Sequence, residues 1–180
     1  MQPEIRRIRS DEGLKLRSLR LHALADAPMA FGSTLAREKS FQEHVWHERA
    51  AGGASGADRV TFIVERDGEW LGLASGIAQD PSSPADPGPF LVGMFVDEAA
   101  RGQGLGAALV EAVAAWARER EATRLYLWVT STNTPAVALY SRCGFQRTGN
   151  TQPLPHCPSV TEFQMVRALE ESPRPGAGAR

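Results

Sequence analysis

Phe90 to Val96 is an apolar run, and Leu105 to Glu121 is strongly helical in character. The stretch from Val96 to Ala107 that joins them reads Val-Asp-Glu-Ala-Ala-Arg-Gly-Gln-Gly-Leu-Gly-Ala. A strand feeding a helix through such a turn is tightly constrained. A helix start exposes unpaired N–H groups and the positive end of the helix dipole. Glycines let that backbone approach a bulky anion with no Cβ in the way. The expected product is a pocket for phosphate or pyrophosphate, built from the backbone of Gly102, Gln103, Gly104, Leu105, Gly106 and Ala107. Arg101, at its head, is a candidate to add positive charge; a solvated arginine is the plainer reading.

The turn lacks the Gly-Lys-Ser/Thr ending of the nucleoside-triphosphate phosphate loop. Gly102, Gly104 and Ala107 satisfy the dinucleotide fingerprint G-x-G-x-x-G/A, which requires glycines directly after the strand and a carboxylate at the end of the next one. Here Asp97 to Arg101 intervene, and the next strand, Arg124 to Val129, runs into Thr130 and Ser131. A nicotinamide cofactor is therefore disfavoured.

The chain has 180 residues and a net charge of -1, enough for one domain with a sizeable core and too neutral for bulk attraction to nucleic acid or an anionic membrane. One domain over 1–169 and a disordered Pro/Gly-rich tail over 170–180 are expected. No apolar stretch approaches the ~18 residues of a membrane span. The opening Met1-Gln2-Pro3-Glu4-Ile5-Arg6 lacks the apolar core of a secretory leader. Cys143 and Cys157, the two cysteines, are too few for a disulfide framework or a zinc cluster. A cytoplasmic, metal-free protein is the expectation.

Ile5 and Ile8 mark a short first strand. Ser10 can cap a helix to about Ala25, with Leu14, Leu16, Leu19, Leu21 and Leu24 as its apolar stripe. A second helix is expected from Leu35 or Ser40 to Ala51. Val60 to Val64 and Trp70 to Ala78 read as strands joined through Asp67-Gly68, a hairpin signal. Asp80 to Pro89 is too rich in proline for regular structure. Pro135 suits the first turn of a helix ending near Cys143. Phe145 to Thr148 and Val160 to Val166 read as the last strands, with Gln152 to Pro158 as a loop between them.

Arg101-x-x-Gly104-x-Gly106 resembles the acetyl-CoA signature of the GNAT family of N-acetyltransferases. Asn133 to Phe145 agrees: in that family an Asn follows the fifth strand, and a helix ending in Tyr-x-x-x-Gly-Phe follows the Asn, here Tyr140, Gly144 and Phe145. The resemblance covers roughly Ile5 to Leu169. It implies an α/β fold with a mixed sheet of about seven strands in the order β-α-α-β-β-β-α-β-α-β-β. It also implies acetyl-CoA as co-substrate and direct transfer of its acetyl group to an amine. In the family the fourth strand splays from the fifth, so the backbone of Met94, Phe95 and Val96 would meet the pantetheine arm and thioester. Asn133 and Ala136 would lie at the cofactor, and Tyr140 would protonate the departing thiolate. The plain alternatives are a helix cap for Asn133 and a packing tyrosine for Tyr140. A non-catalytic acyl-CoA-binding domain of the same fold is the competing function.

The amine's base is poorly marked. Neither Phe90 to Val96 nor Arg124 to Thr130 contains a carboxylate, so no dedicated acidic base is expected. Glu38, Glu43, His156 and Glu162 are candidates, each more ordinary as a structural or solvated residue. Cys143 could suggest a covalent acetyl-cysteine, but no histidine partner accompanies it. The acceptor, a small molecule or a protein N-terminus, would be framed by Asp26 to Thr34 and Gln152 to Pro158. A homodimer is left open.

Overall fold

The computed structural model describes residues 2–81, 85 and 88–169. The tail expected to be disordered lies outside these, as does part of the proline-rich stretch after Asp80. The elements are β1 (Glu4–Arg7), α1 (Gly13–Asp26), α2 (Leu35–Lys39), α3 (Glu43–Ser55), β2 (Arg59–Arg66), β3 (Glu69–Ile77) and β4 (Phe90–Val96). They continue with α4 (Leu105–Glu119), β5 (Arg124–Thr130), α5 (Thr134–Arg142), β6 (Gln146–Leu154) and β7 (Cys157–Ala168). The strands form one mixed sheet in the order β1-β2-β3-β4-β5-β7-β6. Only β4 and β5 are parallel neighbours.

Two apolar layers flank the sheet. Helix α4 places Leu105, Leu109, Val110, Val113 and Trp116 against Leu125, Leu127 and Val129 of β5. The 3.6-residue repeat of α4 is legible in sequence, and it becomes this buried stripe. On the other face Leu16, Leu19 and Leu24 of α1 and Trp46 of α3 pack with Ile63, Leu73 and Phe95. Successive strand residues point to opposite faces, so β5 feeds one layer with its leucines and turns Trp128 and Thr130 toward the other.

Several expectations are corrected. Helix α1 starts at Gly13, because Glu12 is drawn inward to pair with Arg6 and to accept the backbone N–H of Arg9. Gly13, which reads as a helix weakener, is a contact requirement: a Cβ there would lie 2.9 Å from the His47 backbone. Leu14 is 49 % exposed and outside the core. The second helix is two helices, since the chain breaks at Ser40–Gln42. The segment read as a proline-rich loop is extended: β6 and β7 run on to a tight turn at Pro155-His156. Pro153 is tolerated because β6 is an edge strand with only one neighbour, and its pairing is irregular between Pro153 and Leu154.

Candidate active site

Strands β4 and β5 share one residue pair, Phe90 with Tyr126, and then part. The stacked rings of those two residues sit at the apex of the gap. Asp97 donates its N–H to Leu71 of β3. Backbone groups alternate edges along a strand, so Val96 and Met94 direct theirs into the gap. Phe95 faces β3 instead and contributes its buried ring. A register break opposite Leu73–Ser75 falls at Gly93, whose φ is +64°. This bulge in the middle of β4 was missed from sequence; the isolated glycine within an apolar strand was its signal.

The gap opens toward the glycine turn. Gly102 and Gly104 both have left-handed φ, +77° and +80°, and nothing lies within 4 Å of where a Cβ would be. Alternating left-handed residues form a concave array of N–H groups. The first helical bond of α4 runs from Ala108 to Gly104, which leaves the N–H groups of Leu105, Gly106 and Ala107 without helical acceptors. This cradle suits a pyrophosphate. Gly106 has a different role: a Cβ there would come 3.0 Å from Leu139 of α5, so it admits a close helix contact. Gln103 folds its side chain toward the Ala99 carbonyl and offers the turn only backbone.

The side chains expected at the cofactor are largely engaged with the protein. Arg101 donates to the Val96 carbonyl at 3.0 Å and pairs with Asp26 at 2.6 Å. It is a strut joining the end of β4 to the end of α1. Asn133 accepts the Ala136 N–H at 3.3 Å and so caps α5, the plainer of its two readings. Tyr140 is buried and meets Phe145 edge-on. Burial, reinforced by Cys143, pushes its phenol well above the ordinary range, so it stays protonated. Burial and then Glu111 push the Cys143 thiol up against the opposing pull of Arg167 and Arg142. A raised thiol is a poor nucleophile, which argues against acetyl-cysteine.

Across the bulge, on the α1/α3 face, lies a cavity of about 690 Å³. Its lining includes Leu91, Val92 and Gly93 of β4, Trp128 of β5, and Phe31 to Ser33. The two predicted acceptor segments do meet here: His156, at the β6–β7 turn, donates from Nε2 to the Phe31 carbonyl at 2.8 Å. That bond fixes the proton on Nε2 and makes His156 a brace.

Of the carboxylates, Glu43 is exposed on α3 beside His47. Glu38 is 1 % exposed and holds Arg20 at 2.9 Å and Arg49 at 3.0 Å. Burial alone would push its carboxyl up, but those guanidinium groups overcome the penalty and hold it below the ordinary range. Glu162 behaves oppositely. It lies on β7 opposite Thr130, the last residue of β5, and lines the cavity. Burial, with Asp80, pushes its carboxyl up, although the Gln152 amide hydrogen bond and His156 oppose this. An Asp/Glu raised by desolvation in a cleft has the character of a general base.

The profile of the Acetyltransferase (GNAT) family matches residues 21–145. Mycothiol acetyltransferase of Salinispora arenicola is 34 % identical over 72 % of this chain and 40 % of its own length. Streptothricin acetyltransferase of Streptomyces lavendulae is 38 % identical over 52 % of this chain and 49 % of its own. The chain thus spans half or less of these relatives. The yncA protein of Salmonella typhimurium, solved with its cofactor acetyl-CoA, superposes with a TM-score of 0.75 at 17 % identity, covering 99 % of this chain and 100 % of that one. The split sheet, the glycine cradle and the profile match agree, and the chain belongs to the GNAT family of acetyltransferases.

Proposed function

We propose that this chain transfers an acetyl group directly from acetyl-CoA to a primary amine held in the β4/β7 cavity. The supporting observation is a single line of features: an open glycine cradle, a gap lined by Val96 and Met94 backbone, and a cavity that reaches the same strand at Gly93. When bound, acetyl-CoA supplies an activated acetyl group and leaves as the thiol.

The residues divide the work as follows. The N–H groups of Gly102 to Ala107 hold the pyrophosphate. Arg101 keeps the end of β4 in place. A backbone N–H of β4 in the gap donates to the acetyl carbonyl oxygen, where negative charge develops during attack. Glu162 takes a proton from the incoming ammonium, whose nitrogen is otherwise mostly protonated at neutral pH. Tyr140 gives its hydroxyl proton to the departing sulfur. The second proton that the nitrogen sheds after attack leaves through solvent, which reprotonates Tyr140 and takes the first proton from Glu162. A dedicated carboxylate base replaces the expectation of none. It comes from β7, beside the end of β5, and not from β4 or β5 themselves.

The test has two arms. Acetyl-CoA at millimolar concentration raises the melting temperature, because it binds only the folded state, whereas NAD and ATP do not. Thiol release with a panel of amines then falls about a hundredfold in kcat for Tyr140→Phe, with the acetyl-CoA affinity held. No stabilisation by acetyl-CoA sinks the transferase reading. Stabilisation with no release from any amine favours the non-catalytic acyl-CoA-binding domain.

A further inference from the structure

The cavity's walls carry charges that neither acceptor segment shows in sequence. Three arginines reach it from separate elements: Arg20 on α1, Arg49 on α3 and Arg59 at the start of β2. Arg20 and Arg49 share the single carboxylate of Glu38. Arg59 has no ion pair among the described residues, and Arg49 and Arg20, which line the same cavity, act on it repulsively. A guanidinium does not shed its proton near neutrality, so this part of the wall holds positive charge that Glu38 does not balance. Glu48, exposed on α3, and Arg37, packed over Phe41, complete that rim. Glu162 and Asp80 supply negative charge to the same cavity.

Resting on the transferase reading above, we infer that the acceptor is a small amine that also carries an oxyanion, carboxylate or phosphate, with Arg59 receiving the oxyanion and Glu162 the amine. A planar guanidinium fork matches either oxyanion bidentately. The backbone of Arg59 is held at a fixed place because β2 is laddered to β3 there, opposite Ile77, and its side chain lines the cavity. The buried carboxylate of Glu162 gains a counter-charge from the ammonium, and the arginine cluster gains one from the anion. A neutral amine would leave the second debt unrelieved; a polyamine would add a cation beside Arg59. The cavity volume of about 690 Å³ suits a ligand of amino-acid to dipeptide size.

The experiment is a thiol-release comparison of matched acceptors at fixed acetyl-CoA. L-Phenylalanine is set against phenethylamine, L-leucine against isoamylamine, and O-phosphoethanolamine against 2-methoxyethylamine. The expected result is a kcat/KM about a hundredfold higher for the anionic member of at least one pair, and the pair identifies which oxyanion is read. Arg59→Gln raises KM for that acceptor by about tenfold or more. It leaves kcat, the acetyl-CoA KM and the turnover of the neutral partner unchanged; Arg59→Lys restores part of the loss. Neutral members acetylated as well as or better than anionic ones overturn this inference while the transferase reading stands. Equal effects of Arg59→Gln on both members of a pair overturn it as well. If no amine in the panel turns over, calorimetry with N-acetyl-L-phenylalanine and N-phenethylacetamide decides, and absence of an Arg59-dependent preference for the former overturns it.

Discussion

Glu162 and Glu38 line one cavity, and their surroundings drive their carboxyls in opposite directions. Two arginines fix Glu38 as an anion; burial and Asp80 make Glu162 reluctant to become one. On the proposed function, such divergence makes Glu38 the structural carboxylate and Glu162 the base. Glu162→Gln is expected to lower kcat/KM by about 10²-fold or more and to abolish the ascending limb of its pH profile, which lies above the ordinary glutamate range in the wild type. Stability should move the other way. A carboxyl raised on folding stabilises the native state below its unfolded pKa, and that contribution is lost as pH rises through the folded value. At neutral pH the variant therefore melts no lower than the wild type, and the difference narrows in acid. A melting series across pH with parallel rate measurements checks both; a variant of full activity would return Glu162 to a packing role. Sequence named Glu162 among four candidates and had no means to choose. The choice depends on a register pairing with Thr130 and on Asp80, which lies far from it along the chain.

At the level of elements, the glycine turn was fully legible, because it is local: a strand, a strained turn and a helix start follow one another in the chain. The roles of its individual glycines were not. Gly104 sits at left-handed φ with open space around it, while Gly106 makes room for Leu139. Gly104→Val is expected to abolish acetyl-CoA binding, and its strained backbone also lowers stability by about 1 kcal/mol or more. Gly106→Ala should bind acetyl-CoA within a fewfold of wild type, since a small shift of the Leu139 side chain accommodates it. Calorimetry on both proteins, with melting temperatures, checks the contrast; loss of binding in Gly106→Ala would move the pyrophosphate closer to that residue. The β6–β7 hairpin shows the reverse limit. Its prolines read as a loop, and only the sheet order, which puts β6 at the edge, explains why Pro153 sits in a strand. Similarly, the arginine cluster is not legible in sequence, because its members come from three separate elements that only the fold brings to one cavity.

For the molecule as a whole, element order follows from sequence, apart from the helix that divides at Ser40–Gln42. The buried face of α4 follows as well, because its apolar periodicity matches the stripe it buries. The depth of the gap between β4 and β5 does not, since it depends on how far two parallel strands stay paired. Their single shared pair leaves the four strands β1 to β4 and the three strands β5, β7 and β6 joined in the sheet at one point. Hydrogen exchange should expose that division. The Val96 amide lies in the middle strand of a seven-stranded sheet, where central amides ordinarily exchange only through global unfolding. Facing an open gap, it should instead trade its proton with solvent orders of magnitude faster than the Phe95 amide beside it, which faces β3. Acetyl-CoA should slow Val96 and leave Phe95 unchanged. Equal exchange at the two positions without ligand would mean that the gap closes in solution. The centre of this sheet is then, in the timescale of its protons, a surface.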